Sequence, residues 1–364
     1  STPIKSSAAS DVYKRQDDTL VFSSSNPSVA TVNEDGVVTS HHAGKVTITV
    51  RVKESKKKAK HHITIEDIPY TSIEFAKNNP VSLESGTSHK MQLVTGPANA
   101  TDHRIKWTSS NKTAATVDEN GTVTALRPIE TVTITAVYKT NPALICSWNL
   151  KITRTKGYIT KQMLDNLDLT AIKKVMITAH PDDETLWGGG HLIEGEYLVV
   201  CMTHGWNPKR RTAFEQTMRT TNDKYLILDY PDVRKTFSNG KYETDMLSTC
   251  KNAMQEDINL ILSYKKWDLI ATHNPFGEYG KFLHKTISQM VTQCYNKMTN
   301  KSATLYYFGR YYNSSNKIPG EQIAPELLAI KNSMVDRYYP TAKGAIVAFG
   351  HMIPYENWLL PSEW

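Results

Sequence analysis

The sequence repeats itself within its first 125 residues. Residues 23–40 align with residues 108–125 at an offset of 85, and ten of the eighteen aligned positions are identical. This period is longer than the roughly 20–50 residues that are typical of solenoid repeats, and it fits tandem sandwich domains. The repeat therefore limits the N-terminal part of the chain to two copies of one small domain.

Each copy consists of short β-branched runs that end at turn residues, such as Lys45–Val52 in the first copy. Asp35-Gly36 and Asn120-Gly121 supply hairpin turns, because glycine accepts the positive φ of a tight turn. The pattern predicts two all-β sandwiches. Their shared Ser-Ser-Asn, Ala-Thr-Val and Gly-x-Val-Thr elements resemble bacterial immunoglobulin-like (Ig-like) domains of the Big-2 type.

We expect a multidomain chain with four segments. Residues 1–16 are polar and aperiodic, and we interpret them as a disordered or non-native leader. Residues 17–68 form the first Ig-like domain and residues 69–155 the second. The first copy has almost nothing before its Ser-Ser-Asn element, which predicts that it is truncated and has an apolar face or an open edge. Residues 156–364 form a third domain of another kind.

The third domain alternates strand patterns with helix patterns. Such alternation predicts an α/β fold with a doubly wound, mainly parallel sheet. The predicted strands are 174–179, 197–203, 267–272 and 304–308, and the predicted helices are 160–167, 211–226, 246–264 and 325–337.

One strand of this sheet leads directly into acidic residues. The run Lys174–Ala179 is apolar and β-branched, and His180, a proline and three acids follow it. Ligands of open α/β sheets bind beyond the carboxyl ends of the strands. The neighbouring carboxylates Asp182 and Asp183 repel each other unless a cation lies beside them. This stretch therefore predicts a divalent-metal site.

Two motifs resemble one enzyme family. Residues 179–184 read Ala-His-Pro-Asp-Asp-Glu, the signature of the PIG-L/LmbE-like N-acetylglucosaminyl deacetylases. Residues 272–284 resemble the second motif of that family, which usually reads Gly-Tyr-Gly-His-x-x-His. The resemblance covers roughly residues 170–360. It implies a Rossmann-like domain that uses Zn²⁺ to remove an N-acetyl group from an amino sugar in a glycan or glycoconjugate.

The resemblance also implies the roles of four side chains. His180, Asp183 and His284 would bind the metal, and two imidazoles with one carboxylate leave the open positions that catalytic zinc requires. Asp182 would be the general base, which takes a proton from the attacking water and returns it to the departing amine. The structural alternative is that Asp182 caps the next helix or orients a ligand histidine.

Two residues of the second motif are further catalytic candidates. Tyr279 matches the family's tyrosine that polarises the substrate carbonyl. Lys281 stands where many members have a histidine that assists the oxyanion or the leaving group. A lysine can offer positive charge to the oxyanion, but it cannot titrate near neutral pH as an imidazole does. Lys281 therefore either assists catalysis or points into solvent.

Four residues are candidates for substrate binding at the same edge of the sheet. His204 and Trp206 follow the next strand, and Trp206 offers an aromatic face to a sugar. Arg211, together with its neighbour Arg210, resembles an arginine of the family that grips a hydroxyl or a phosphate, and Asn274 belongs to the second motif. Core packing and solvated surface are the alternative interpretations.

Charge and hydropathy indicate the surroundings of the chain. The formal charge is +7, and residues 1–155 hold 19 Lys and Arg against 14 Asp and Glu. A basic front half favours a cell-wall or anionic-glycan surface as a partner, although a solvated face explains it as well. We expect no transmembrane segment, because no apolar run approaches 18 residues. We also expect no nucleic-acid partner. We expect an extracellular or cell-surface bacterial protein.

Two other functions fit parts of this pattern. The first is a non-catalytic surface adhesin whose enzyme domain is degenerate, which Lys281 and the tandem sandwiches favour. The second is an Fe(II) oxygenase, because two histidines and one carboxylate also form a facial triad. The position at a strand end and the additional Asp182 argue against the oxygenase. The sequence does not specify which N-acetylated compound is the substrate.

Overall fold

The computed structural model describes residues 19–54, 56–233, 245–299 and 301–364. The leader that we predicted at residues 1–16 lies outside this part of the chain. The strands are β1 (Leu20–Ser24), β2 (Ala30–Val32), β3 (Val38–Ser40), β4 (Gly44–Val52), β5 (Lys58–Ile65), β6 (Ser72–Phe75), β7 (Ser82–Glu84), β8 (Ser88–Lys90), β9 (Leu93–Gly96), β10 (Ile105–Ser109), β11 (Ala115–Val117), β12 (Thr122–Ala125), β13 (Ile129–Tyr138), β14 (Ile145–Thr153), β15 (Lys174–Thr178), β16 (Tyr197–Thr203), β17 (Lys224–Tyr230), β18 (Leu269–Thr272) and β19 (Thr304–Tyr307). The helices are α1 (Lys161–Asn166), α2 (Asp183–Ile193), α3 (Pro208–Thr221), α4 (Asp245–Tyr264), α5 (Gly277–Gly280), α6 (Phe282–Lys297) and α7 (Pro325–Phe349).

The first repeat consists of antiparallel β-structure, as predicted. Strand β4 pairs with β1 on one side and with β5 on the other, and β2 pairs with β3 as a hairpin. Its core is small, with Val29, Ala30, Val46 and Ile48 buried. The second repeat has more strands, in sheets of order β10-β13-β14-β7, β11-β12-β8 and β6-β9. The additional strands β6 to β9 correspond to the runs that precede the second Ser-Ser-Asn element.

The two predicted hairpin glycines have equivalent environments. Gly36 has a φ of 79° and Gly121 a φ of 80°. A Cβ atom at Gly36 would lie 2.8 Å from the ring of Phe22, and one at Gly121 would lie 2.6 Å from the ring of Trp107. Positive φ and this close approach both require glycine, so an aromatic ring on glycine is a packing feature that the two repeats share.

The chain divides into two compact units. One extends to Ala76 and adds Leu93–Lys106 and Ala136–Cys146, and the other comprises Lys77–Gln92, Trp107–Thr135 and Ser147–Trp364. The border between them lies within the second repeat and does not coincide with the predicted domain boundaries. The second unit contains part of that repeat together with the whole α/β region.

The α/β region is built on a five-stranded parallel sheet of order β17-β16-β15-β18-β19. Alternate residues of the central strand point to opposite faces: Val175 and Ile177 belong to one apolar core and Met176 to the other. Helices therefore cover both faces, which makes β15 a fully buried strand. Because all five strands run in the same direction, their carboxyl ends meet at one edge.

The sequence pattern was wrong about the end of one helix and therefore missed one strand of this sheet. The helix predicted over 211–226 ends earlier, because Asn222 adopts a left-handed conformation with a φ of 58° and terminates α3. The following residues form strand β17, which we did not predict. Helix α7 is longer than its predicted range of 325–337 and continues to Phe349.

Among the described residues, no helix combines the length and the hydropathy that a membrane span needs.

Candidate metal centre

The segment between β15 and α2 is held in place by hydrogen bonds from two neighbouring strands. The Ala179 N–H donates to Nε2 of His273 at 2.9 Å, and the hydroxyl of Thr203 donates to the Ala179 carbonyl at 2.7 Å. Asp182 has a φ of 142°, a backbone conformation that side chains rarely adopt. This strained turn places His180 and Asp183 at the carboxyl edge of the sheet, where the sequence predicted them.

Three predicted ligands converge there. Nδ1 of His180 lies 3.2 Å from Oδ2 of Asp183 and 3.1 Å from Nε2 of His284. The same carboxylate oxygen lies 3.3 Å from Nε2 of His284. All three side chains are buried, and together they form a group that could hold a metal ion.

Two further carboxylates orient the imidazoles. Nε2 of His180 lies 3.0 Å from Oδ1 of Asp232, and Nδ1 of His284 lies 2.5 Å from Oε2 of Glu278. Each outer nitrogen therefore donates its proton to a carboxylate, which leaves the lone pair of the inner nitrogen directed at the centre. Histidine ligands of metals are commonly fixed by such carboxylates. Sequence reasoning identified neither Asp232 nor Glu278.

The spacing of the inner atoms fits a tetrahedral metal. For metal–ligand distances of about 2.0–2.1 Å, two ligand atoms of a tetrahedron lie about 3.3–3.4 Å apart. The observed separations of 3.1, 3.2 and 3.3 Å approach this value. Three acceptors this close together repel one another unless a cation or a proton lies between them. His180, Asp183 and His284 therefore suit Zn²⁺, with room for a fourth ligand.

A second cluster lies beside this one and consists of His273, Glu278 and His284. Its side chains are joined by hydrogen bonds that orient the imidazole of His284. Oε2 of Glu278 lies within 3.1 Å of Nδ1 of His273 and within 2.5 Å of Nδ1 of His284. Nε2 of His273 is occupied by the Ala179 N–H. The outward nitrogens of both rings thus converge on one carboxylate, so the first cluster is the better candidate for a metal site.

The pKa values reflect how strongly these buried groups interact. Burial lowers the pKa of His180, but Asp232 and Asp183 outweigh it and raise that pKa to about 9. Burial lowers the pKa of His284 to about 4 and outweighs the nearby carboxylates of Asp183 and Glu278, which raise it. A proton therefore competes with a metal for the nitrogen of His180, and metal binding must release that proton.

Asp182 lies next to the centre but outside the three converging ligands. It is buried, and its pKa is raised to about 8 by burial and by the neighbouring charge of Asp183. One carboxylate oxygen lies 4.0 Å from the guanidinium of Arg210. Its side chain makes no capping hydrogen bond to helix α2, which is unlike the capping role considered as an alternative.

Glu184 supports the turn from the opposite side. The hydroxyl of Tyr338 on α7 donates to Oε1 of Glu184 at 2.6 Å, and the hydroxyl of Thr185 donates to the same oxygen at 2.7 Å. Oε2 accepts the Asp182 N–H at 3.1 Å. This buried carboxylate therefore holds the unusual backbone of Asp182 in place.

The two catalytic candidates of the second motif lie at the opening of the centre. The ring of Tyr279 is 43% exposed and packs edge-on against His284, with 5.7 Å between ring centroids. Burial and the nearby carboxylates of Asp183 and Asp182 raise the pKa of the Tyr279 phenol, so the phenol remains a proton donor at neutral pH. Lys281 is close enough for its charge to lower the pKa of Asp232.

His204 and Trp206 lie side by side at the rim. The His204 ring is 5.7 Å from His180 and 6.2 Å from Trp206, measured between ring centroids. Arg211 donates from Nε to the Gly205 carbonyl at 2.5 Å, so part of its guanidinium shapes the loop. A substrate contact of these three residues stays a prediction, and Arg210, on the same helix as Arg211, is the arginine that faces Asp182.

The side chain of Asn274, for which we predicted a substrate contact, makes its hydrogen bonds within the protein. Its side chain is fully buried. Nδ2 donates to the carbonyls of Phe308 and Gly309, and Oδ1 accepts the N–H groups of Phe276 and Glu278. These four bonds use both amide hydrogens and both oxygen lone pairs. Asn274 therefore organises the loop that carries Glu278, and its substrate contact stays a prediction.

Comparison with known proteins identifies the domain type of the N-terminal part of the chain. Residues 5–62 and 69–147 match the model of the bacterial Ig-like domain, group 2. The chain carries two bacterial Ig-like domains of group 2. The first match begins at residue 5 and the second ends at residue 147, whereas the domains that we predicted span residues 17–68 and 69–155.

Two curated relatives resemble parts of the chain, and both are uncharacterized. Protein L374 of Acanthamoeba polyphaga mimivirus is 31% identical over 175 residues, which cover 43% of this chain and 67% of that protein. The chain belongs to one family with this viral protein. Protein CA_P0160 of Clostridium acetobutylicum is 32% identical over 117 residues, which cover 32% of this chain but 12% of its relative.

Solved structures show distant likenesses. The S-layer protein rSbsC(31-844) is 20% identical with a TM-score of 0.21, covering 39% of this chain and 21% of that chain. The conserved protein TT1542 from Thermus thermophilus is 12% identical with a TM-score of 0.37, covering 53% of this chain and 96% of that one. Invasin, a bacterial integrin-binding protein, is 23% identical with a TM-score of 0.19, covering 37% of this chain and 31% of invasin.

Proposed function

We propose that the α/β region, residues 156–364, is a Rossmann-like, zinc-dependent hydrolase that removes the N-acetyl group of an amino sugar in a glycan or glycoconjugate. The observation that carries the proposal is the convergence of His180 Nδ1, Asp183 Oδ2 and His284 Nε2 within 3.3 Å, with a carboxylate behind each imidazole. The resemblance of residues 179–184 and 272–284 to the deacetylase motifs supplies the reaction class.

The residues around the centre fit the parts of an amide hydrolysis. When bound, Zn²⁺ would supply a Lewis acid that makes water a nucleophile near neutral pH. The same positive charge would lower the pKa of Asp182, because an opposite charge favours the ionised carboxylate. Asp182 would then accept the proton of the attacking water and return it to the departing amine. Arg210 favours the ionised form as well.

Tyr279 and Lys281 would act on the other side of the scissile amide. The Tyr279 phenol keeps its proton at neutral pH and can donate a hydrogen bond to the carbonyl oxygen, where negative charge develops. Lys281 adds a positive charge near Asp232 at the opening of the site. In this role Lys281 replaces a titrating histidine by a fixed positive charge.

We also propose that the protein works outside the cell or at a bacterial cell surface. Two tandem group 2 Ig-like domains support this location. Exposed basic residues of the first domain, such as Lys58 and Lys60 on strand β5, suit an anionic glycan or cell-wall surface.

Acetate release is the test of the catalytic proposal. The full chain is loaded with Zn²⁺ and incubated with N-acetylated monosaccharides and oligosaccharides, and released acetate is measured. His284→Ala should lose the metal and the activity, whereas His61→Ala, which removes an exposed imidazole from strand β5, should lose neither. Asp183→Asn serves as a second ligand variant in case His284→Ala does not fold. A zinc-loaded chain that releases no acetate contradicts the proposal.

The alternative is a non-catalytic surface protein that binds carbohydrate, and the tandem Ig-like domains favour it. A chain that binds an N-acetylated glycan without hydrolysing it would support this alternative. Metal analysis addresses the Fe(II) oxygenase, because a chain that retains iron and consumes oxygen would replace both hypotheses.

A further inference from the structure

One residue of the second Ig-like domain reaches the rim of the candidate metal centre. The guanidinium of Arg127 lies over the indole ring of Trp206, 4.2 Å from its centroid. Arg127 belongs to the connection between β12 and β13, and Trp206 follows β16 of the α/β region. Contact of a guanidinium with a tryptophan face is attractive and strongest when both groups are shielded from water, and both residues are half-buried.

Residues of the Ig-like domain hold Arg127 in place through hydrogen bonds. Its Nε and Nη2 both donate to the hydroxyl of Thr113, at 3.3 and 3.0 Å. Its backbone N–H donates to the Ala114 carbonyl at 3.3 Å. Its charge also lowers the pKa of the half-buried carboxylate of Asp229. The position of the guanidinium is therefore set by the Ig-like domain and not by the indole alone.

Several hydrogen bonds hold the connection between this part of the Ig-like domain and the α/β region. Oε1 of Glu84 accepts the Thr155 N–H at 2.5 Å, and Nη2 of Arg154 donates to the Gly157 carbonyl at 2.6 Å. The Gly157 N–H in turn donates to Glu256 on α4 at 3.1 Å. These residues all belong to the same compact unit as Arg127 and Trp206. Arg127 therefore does not approach Trp206 through a free linker.

The ring of His204 lies between Trp206 and the candidate metal centre. His204 lies between Trp206 and His180, with centroid distances of 6.2 and 5.7 Å and an angle of 23° between the His204 and Trp206 planes. A ligand that touches both the centre and the indole must extend past His204. A single acetamido sugar at the centre does not need Trp206, whereas an oligosaccharide can contact both.

We propose that the second Ig-like domain is part of the substrate-binding site, in which Arg127 positions Trp206 as a second sugar subsite for an oligosaccharide. This inference rests on the proposed deacetylase function for its substrate class. It makes Arg127 a positioning residue that acts through Trp206 and does not touch the reacting atoms. The Ig-like domain thereby contributes to substrate selection and is more than a spacer.

Binding by the full chain tests the inference independently of catalysis. Equilibrium binding of the monomer and of the tetramer of N-acetylglucosamine is measured for the wild type and four variants. Arg127→Ala should weaken tetramer binding about three- to tenfold, because the loss of positioning is limited by the strength of the partly shielded cation–π contact, and it should change monomer binding less than twofold. Arg127→Lys should be intermediate. Trp206→Ala should show the same loss, and the double variant should add little to it.

The matched control is Lys112→Ala, which removes an exposed cation beside Thr113. It should bind both sugars as the wild type does. Hydrogen exchange of residues 204–207 gives a second readout, and it should be faster in Arg127→Ala than in Lys112→Ala.

The outcomes separate this inference from the proposed function. Tetramer binding that depends on Arg127, without acetate release, supports the subsite and contradicts the deacetylase. Acetate release with equal tetramer binding by the wild type and Arg127→Ala supports the deacetylase and overturns the subsite. A wild type that does not bind the tetramer more tightly than the monomer also overturns it.

Discussion

Asp232 lies 3.0 Å from Nε2 of His180, on the side of the ring away from the nitrogen that faces Asp183 and His284. This carboxylate fixes which nitrogen of His180 carries the proton. It therefore determines whether a lone pair is directed at the centre. The arrangement explains why a residue that would not itself touch the metal matters for holding it.

Removal of Asp232 should weaken metal binding. In Asp232→Ala, the His180 ring loses the acceptor that orients it, so we expect the dissociation constant for Zn²⁺ to rise about 10- to 100-fold. Competition with a chelating dye measures this constant. Asp336→Ala is the control, because Asp336 is exposed on α7. Unchanged zinc affinity in Asp232→Ala would show that the ring is held by other contacts.

Asn274→Ala should act on stability. The substitution leaves two carbonyls and two N–H groups without their partners, at a cost of about 1–3 kcal/mol for each of the three that are buried. Thermal unfolding should show a lower midpoint than for Asn259→Ala, an exposed position on α4. If Asn274→Ala unfolds like the control but has a higher KM, Asn274 binds substrate as the sequence suggested.

Acid should destabilise the second Ig-like domain through Asp102. This buried carboxylate accepts hydrogen bonds from Arg104, Tyr138 and Thr140, which hold its pKa well below the ordinary value of 3.8 against the effect of burial. A carboxylate whose folded pKa is depressed stabilises the fold above its unfolded pKa, and this contribution is lost as the pH falls further.

Asp102→Asn isolates this effect. Near pH 7 the variant should be less stable than the wild type by about 1.5–3 kcal/mol, the range for a hydrogen bond to a charged group. The difference should shrink as the pH falls below about 4. Chemical unfolding of both proteins near pH 7 and near pH 2.5 measures it. A difference that stays constant over this range would show that the charge of Asp102 is not what stabilises the domain.

The sequence predicted the parts of the fold whose cause is local. The alternation of β-branched runs and glycine turns predicted the sandwiches, and Gly36 and Gly121 have the positive φ that their turns require. The predicted helix 211–226 ran too far, because the left-handed residue Asn222 was not recognised as a helix end. Strand β17 was missed for that reason, and with it Asp232, which follows it by two residues.

In the candidate site, too, the features with a local cause could be predicted and those that depend on distant segments could not. The candidate ligands His180, Asp183 and His284 could be predicted because they lie in two recognisable motifs, and the structure brings them together. The support of these ligands depends on contacts between distant segments, such as that of Glu278 with His273 and His284. Arg127 is the clearest case, because nothing in its local sequence indicates that it meets Trp206.

The central claim is that His180, Asp183 and His284 hold the metal while Asp182 moves the proton. It is tested most directly by measuring bound zinc and acetate release together in Asp182→Asn. This variant keeps the shape of the side chain but cannot accept a proton. The account predicts a full equivalent of zinc and a rate that is lower by about 10²–10⁴, the usual contribution of general acid–base catalysis. A variant that retains its zinc and turns over at nearly the wild-type rate would contradict it.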